Sequence, residues 1–235
     1  MAERAPGVAV VLAAAGSGER LGASVPKALI PLGGRPLVTL SLATAGSCDA
    51  VTLVVVAAPP SHVGQISEAV DAAAVETPTV VVPGGASRQE SIRMALEAVP
   101  RDVAVVVCHD AARPFASRGL FERVIRAVQA TSGADGAVPI IRTADTVKQL
   151  EGDAVARTIP RESLGLAQTP QAFLADRLRE AHASAVRLGL QGTDDAVLLE
   201  LAGMPVVAVP GEPANVKITT AEDLDRAERM IEVAR

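Results

Sequence analysis

The chain has 235 residues, enough to bury one substantial α/β core and too few for more than two small domains. Aromatic residues make up 1% of it, so the core is built from Val, Leu, Ile and Ala, and a base-stacking platform for single-stranded nucleic acid is not expected. The net charge of -5 argues against general affinity for DNA, RNA or an anionic membrane, so any basic site is local. Along the chain, short β-rich runs at Val8–Ala13, Val51–Val56, Thr79–Val82, Val103–Cys108, Gly136–Pro139 and Pro205–Val209 alternate with helical patterns near 36–46, 60–74, 87–98 and 117–131. That alternation predicts a mostly parallel sheet with helices on both faces, and continuous apolar strands suit a sheet buried on both sides. The segment 140–160 breaks the pattern. Ile140–Leu150 and Ala154–Ile159 read as two short strands around "EGD", a hairpin projecting from the main sheet. Helices resume near 171–188 and 194–202, and a last one runs from about 220 to 234. No repeat, low-complexity tract or linker divides residues 1–235, so one domain with an arm at about 140–160 is expected. Cys48 and Cys108 lack metal spacing, and no secretory or membrane-spanning pattern is present, which points to a reducing cytoplasm.

Ligands in such folds bind beyond the carboxyl ends of the strands, so the loops after Ala13, Val82, Cys108 and Pro139 are where chemistry is expected. The first is "LAAAGSGERLGASVPKAL", Leu12–Leu29. It lacks the spacing of a P-loop. Gly16, Gly18 and Gly22 give G-x-G-x-x-x-G, one residue longer than the dinucleotide fingerprint, and "VVVAAPP" stands where a ribose-binding acid belongs. The third reading makes Arg20 and Lys27 the working groups, two fixed cations able to neutralise a triphosphate under attack. The bland alternative is a solvated loop with incidental cations. This stretch resembles the signature loop of nucleotidyltransferases that join an NTP to a sugar or polyol phosphate. The resemblance implies that Ala14, Ala15, Gly16, Ser17 and Gly18 wrap the triphosphate while Arg20 and Lys27 stabilise the transition state.

In "VPGGASRQESI", Gly84 and Gly85 permit close backbone approach to a flat ligand. Ser87 with Glu90 reads equally as a helix capping box. In "VVVCHDAARPF", Asp110 stands just past a strand, as a Mg²⁺ ligand between phosphates or as a turn or N-cap residue. Arg113 pairs with Asp110 or with ligand, and His109 reads as a local hydrogen-bonding residue. The string "HDAARP" closely resembles the methylerythritol phosphate cytidylyltransferases. "ADTVK", "TIPRESLGLAQTPQAF", "GTDDA" and "NVKITTAEDL" agree with that family in order and approximate spacing, from Val8 to about Met230. Gly165 departs from it, standing where many relatives carry a bulky aromatic.

The resemblance implies a Rossmann-like nucleotidyltransferase fold and transfer of CMP from CTP to 2-C-methyl-D-erythritol 4-phosphate, with release of pyrophosphate, in non-mevalonate isoprenoid synthesis. It implies that Gly84, Gly85, Arg88 and Ser91 surround cytosine and ribose, and that Ala111 and Arg113 belong to the same nucleotide site. Thr146, Arg161, Thr193 and Lys217 then hold the acceptor, and Asp110 holds Mg²⁺ or another divalent cation. It also implies an arm-exchanged homodimer in which Thr146 and Arg161 reach the partner's site. By themselves, Thr193, Asp194 and Asp195 make a helix N-terminus, Lys217 a solvated strand residue, and Arg161 a partner for Glu162 or for a helix end. Two other functions stay open at this point: another cytidylyl- or sugar-phosphate nucleotidyltransferase, and a nucleotide-sensing module without catalysis.

Overall fold

The structure is a computed structural model that describes residues 7–16, 18 and 25–233. Its strands, in chain order, are β1 (Val8–Ala13), β2 (Pro31–Leu32), β3 (Arg35–Pro36), β4 (Val51–Ala58), β5 (Thr79–Pro83), β6 (Val105–Asp110), β7 (Gly136–Ile141), β8 (Val147–Glu151), β9 (Ala154–Ile159), β10 (Leu166–Ala167), β11 (Gln171–Leu174) and β12 (Val206–Pro210). The α-helices are α1 (Leu37–Gly46), α2 (Val63–Ala72), α3 (Arg88–Leu96), α4 (Arg118–Ala130), α5 (Ala175–Leu188), α6 (Asp195–Leu201) and α7 (Ala221–Val233).

β1 lies inside the sheet because every residue from Val8 to Leu12 is buried and its two backbone edges are both paired. It runs parallel to β4 on one side and to β6 on the other, and β5 extends the sheet beyond β4. Beyond β6 come β11, antiparallel to it, then β7 and, parallel to β7, β12. The short β10 pairs with the far end of β7, on the edge β11 uses. The period-two alternation sends Val8, Val10 and Leu12 to one layer, with Leu42 of α1, Ile66 of α2 and Phe121 of α4. Ala9 and Val11 face the other layer, with Ile92 of α3, Leu178 of α5 and Leu199 of α6. A strand covered on both faces has no solvent side, which is why these runs are apolar without interruption.

The expected mixed α/β sheet is thus present, with two local differences. The helix expected from 171 begins only at Ala175, because Gln171–Leu174 is drawn into the gap between β6 and β7, where its backbone bonds both neighbours. Tertiary pairing overrides a local helical pattern there. Asp110 is the last residue of β6 rather than the first beyond it, pairing in register with Ala13. The hairpin is present but shorter than expected from Ile140: Ile140 and Ile141 stay in β7, paired within the main sheet. Only β8 and β9 form a separate antiparallel pair, closed by Gly152 and Asp153, with Gly152 at φ +58, which glycine adopts without steric cost. The arm's cross-strand pair Leu150 and Val155 is 60% exposed at each residue.

A small satellite core sets one wall of the site. Ile30 and Leu32 pack with Leu37 of α1, with Ile218 and with Ala227 of α7. The Gly33 N–H donates to the Glu228 carboxylate at 3.0 Å, tying the β2–β3 turn to the same helix. Lys27 and Lys217, far apart in sequence, are thereby carried on two segments packed against each other.

Candidate active site

The carboxyl ends of β1, β5 and β6 open into a cavity of about 670 Å³. Ala14, Ala15, Gly16 and Gly18 come to it from the end of β1, Gly85 to Arg88 from the end of β5, and Asp110 to Ala112 from β6. Lys27, Lys217 and Thr219 complete the wall that the satellite core builds. Among the described residues, the ionisable lining is Lys27, Arg88 and Lys217 against Asp110, three cations to one carboxylate. That balance, with small residues and backbone at the mouth, suits a polyanion with a flat portion.

Asp110 is the electrostatic centre. Its Oδ1 accepts from Arg88 Nε at 2.8 Å and its Oδ2 from Lys217 Nζ at 2.7 Å. Burial opposes its ionisation, yet Arg88 and then Lys217 outweigh burial and hold the carboxyl well below the usual carboxylate range. It is therefore an anion at any working pH. Its backbone is equally fixed. The Asp110 N–H donates to Thr169 Oγ1 at 3.0 Å, and Thr169 lies 3.0 Å from His109 Nδ1. His109 Nε2 meets the Arg113 carbonyl at 3.2 Å. One tautomer satisfies the row: Nε2 donates to the carbonyl and Nδ1 accepts from Thr169. Burial pushes His109 down to about 4, which keeps the imidazole neutral. It is a bracing residue, as its lack of partners at metal spacing suggests.

Arg88 is held at two points, Nε on Asp110 and Nη1 on Asp195 Oδ2 at 2.8 Å. Gly84 and Gly85 have separate structural reasons. A Cβ on Gly84 would stand 2.8 Å from both Ala15 Cβ and Ser91 Oγ, so only glycine lets the β1 and β5 loops touch. The Gly85 N–H donates to Ser91 Oγ at 3.0 Å, fixing the loop on α3. Ser87 caps α3 by accepting from the Glu90 N–H at 3.1 Å, while the Glu90 carboxylate reaches Ala86 N–H at 2.8 Å, one residue away from the reciprocal capping-box partner.

Of the residues singled out in the sequence, the cavity gathers Ala14, Ala15, Gly16, Gly18, Lys27, Gly85, Arg88, Ser91, Asp110, Ala111 and Lys217. Ser17 and Arg20 lie outside the described residues. Gly84 is buried behind the lining. Arg113 is not in the cavity lining; its Nη1 donates to the Asn215 carbonyl at 2.9 Å, bracing the segment that bears Lys217. Thr193 is exposed beside Asp194, whose Oδ1 caps α6 through the Val197 N–H at 3.1 Å. Thr146 and Arg161 belong to the arm segment, not to this chain's cavity wall. Arg161 donates to the Ala144 carbonyl and lies 3.7 Å from Glu162.

Sequence reasoning passed over Thr169, Gln168 and Asn215. Asn215 is fully buried; its Nδ2 donates to the Thr169 carbonyl at 2.8 Å. Gln168 Nε2 donates to the Glu212 carbonyl at 2.8 Å and its Oε1 accepts from the Glu212 N–H at 3.0 Å. The usable signal was uncharged polar residues clustered beside strand ends, which have to find partners once buried.

A sequence model of the family IspD, 2-C-methyl-D-erythritol 4-phosphate cytidylyltransferase, matches residues 8–233. The enzyme of that name from Frankia casuarinae is 41% identical over 227 residues, 96% of this chain and 82% of the relative. That of Thermus thermophilus is 42% identical over 228 residues, 96% of this chain and 98% of the relative. A crystal structure of the Thermus thermophilus 2-C-methyl-D-erythritol 4-phosphate cytidylyltransferase matches with a TM-score of 0.78 at 40% identity, covering 96% of this chain and 99% of that one. The 4-diphosphocytidyl-2C-methyl-D-erythritolsynthase of Anaerococcus prevotii matches with a TM-score of 0.84 at 27% identity, covering 96% and 98%. Over nearly its whole length, by sequence and by fold, the chain belongs to the 2-C-methyl-D-erythritol 4-phosphate cytidylyltransferase family of nucleotidyltransferases.

Proposed function

We propose that the cavity at the ends of β1, β5 and β6 is where this chain transfers CMP from CTP to 2-C-methyl-D-erythritol 4-phosphate. The observation that carries this assignment is the pairing of Arg88 and Lys217 with the carboxylate of Asp110 in one cleft at the strand ends that Lys27 also lines. An oxygen of the acceptor phosphate attacks the α-phosphorus of CTP; the bond from that phosphorus to the bridging oxygen breaks, and pyrophosphate leaves with the electron pair. A phosphate dianion is already nucleophilic, so no strong general base is required, and the neutral, buried His109 is not asked to be one. The barrier falls through positioning and charge neutralisation. Lys27 and Arg20 stabilise the α-phosphate and the departing pyrophosphate, and the small-residue loop Ala14 to Gly18 wraps the triphosphate with its N–H groups. Lys217 draws the acceptor phosphate in.

Among the described residues there is no group of three or more His, Cys, Asp or Glu able to hold a metal, so a closed metal cage is not the fit. A divalent cation arriving on the triphosphate needs only a carboxylate or two from the protein, and Asp110, ionised and facing the cavity, fits that demand. Bound there, Mg²⁺ would supply charge neutralisation at the phosphates, with Arg88 and Lys217 sharing the carboxylate.

The exposed Leu150 and Val155 on the arm, and Leu166 beside it at 54%, favour burial in a two-fold homodimer in which Thr146 and Arg161 serve the partner's site. No helix among the described residues is long and apolar enough to cross a membrane, and Cys48 and Cys108 are buried free thiols, which favours a cytoplasmic enzyme. The test is pyrophosphate release from CTP plus methylerythritol phosphate, with and without Mg²⁺. Release that needs both substrates supports the reading; none under any divalent cation would defeat it.

A further inference from the structure

Two consecutive aspartates open α6, and they do different things. Asp194 serves local structure: its Oδ1 caps the helix, and its Oδ2 accepts from Gln171 Nε2 at 2.7 Å. Asp195 caps nothing. It is 1% exposed, its Oδ2 takes Arg88 Nη1 at 2.8 Å, and its Oδ1 lies 3.1 Å from Nε2 of His182, itself 2% exposed on α5. His182 Nδ1 is buried without a partner among the described residues, so the side chain's polar contact there is with Asp195. The row continues from Arg88 Nε to Asp110 and from Asp110 to Lys217 at 2.7 Å. Five side chains from α5, α6, α3, β6 and the segment after β12 thus form one line from the core to the cavity. Gln89, next to Arg88, clamps the loop before α6: its Nε2 donates to the Leu190 carbonyl at 3.1 Å and its Oε1 accepts from the Gly192 N–H at 3.0 Å.

Burying a carboxylate and a guanidinium gains little stability over apolar packing of the same shape, so stability alone is a weak reason for this row. Orientation is a better one. A guanidinium is a rigid fork, and one held at both Nε and Nη1 cannot rotate in its plane. With Asp195 absent, Arg88 would be free to swing into the cavity toward a triphosphate, and Asp110 would lose one of its two fixed partners. We infer that Asp195 and His182 are positioning residues for the reaction, fixing the direction in which Arg88 holds Asp110 and, through it, Lys217. This rests on the proposed cytidylyl transfer in the same cavity. It adds two residues that touch no substrate, on elements behind the cavity wall.

The test is a double-mutant cycle on the full-length protein with CTP, methylerythritol phosphate and a Mg²⁺ series, read as pyrophosphate release beside thermal melting. Asp195→Asn keeps shape and removes charge. It is expected to lower kcat/KM by about 10–100-fold and to raise the Mg²⁺ midpoint in the same direction as Asp110→Asn. Because both act through Arg88, the double variant should fall at most about threefold below Asp110→Asn alone. A merely structural Asp195 would lower melting, leave the Mg²⁺ midpoint in place and multiply its loss with that of Asp110→Asn; that result overturns the inference. If Asp195→Asn melts below the assay temperature, His182→Phe, which removes the donor to Asp195, takes its place in the cycle, with a smaller loss and the same shift in midpoint; an unmoved midpoint overturns the inference equally. Wild-type protein that releases no pyrophosphate would instead defeat the function on which the inference rests, whereas an active wild type with an unaffected Asp195→Asn defeats the positioning role alone.

Discussion

Asp110→Asn perturbs the site at its most charged point and conserves its shape. The carboxylate stands 2.8 Å from Arg88 Nε and 2.7 Å from Lys217 Nζ. At an effective dielectric of about 20, a pair of unit charges at that distance attracts by roughly 6 kcal/mol before desolvation is counted. Much of this is offset by the cost of burial, and Lys217, 42% exposed, is further screened by solvent. Breaking a buried pair while leaving its partner behind costs about 3–5 kcal/mol, and the lower end applies here because Asn Oδ1 still accepts from Arg88. Asn turns its amide donor toward the Lys217 ammonium, so that contact becomes donor against donor. A loss of about 3 kcal/mol in a chain of this length lowers the melting temperature by about 6–12 °C. The same substitution is expected to raise the Mg²⁺ requirement, weaken CTP binding and, because Lys217 is no longer anchored, raise KM for the acceptor. Differential scanning fluorimetry and pyrophosphate release over a Mg²⁺ series measure all of these. Melting within about 1 °C of wild type, with unchanged Mg²⁺ dependence, would refute the central place given to Asp110.

Lys27→Ala and Arg20→Ala are each expected to lower kcat by on the order of 10²–10³ with less change in KM, since their charge acts most on the transition state; normal turnover in Lys27→Ala would remove it from the mechanism. Gly84→Ala places a Cβ 2.8 Å from Ala15 Cβ, so the triphosphate loop is pushed aside and KM for CTP should rise severalfold; an unchanged KM in a folded variant would contradict that packing. Co-expressed, differently tagged chains carrying Lys27→Ala and Arg161→Ala should recover activity in the heterodimer, because one of its two sites then has both wild-type residues; absence of recovery would defeat the shared site.

The sheet was legible in the sequence because its strands are buried on both faces, and an unbroken run such as "VAVVLA" has few other readings. The β8–β9 hairpin was legible from alternation and from Gly152. β11 was not: "QAFL" leads directly into a helical pattern, and only β6 and β7 on either side make it a strand. In the site, Lys27, Asp110 and Lys217 stood out as charges at strand ends or within quoted motifs. Asp195 was visible in "GTDDA" but read as helix chemistry, since nothing local separates a capping aspartate from the buried one beside it. What distinguishes them is His182 and Arg88, 13 and 107 residues away, and contacts at that separation leave no local pattern. Arg113 was legible as a charge in its motif, while its bond to the Asn215 carbonyl, 102 residues away, left no local signal.

The most direct test of the account follows the phosphorus and oxygen atoms. Methylerythritol phosphate bearing ¹⁸O on its phosphate is turned over with CTP and Mg²⁺, and both products are analysed by mass spectrometry. Attack by the acceptor phosphate on the α-phosphorus predicts diphosphocytidyl-methylerythritol that keeps all of the label and pyrophosphate that carries none. Labelled pyrophosphate, or CTP consumed to CMP without a diphosphocytidyl product, would contradict it.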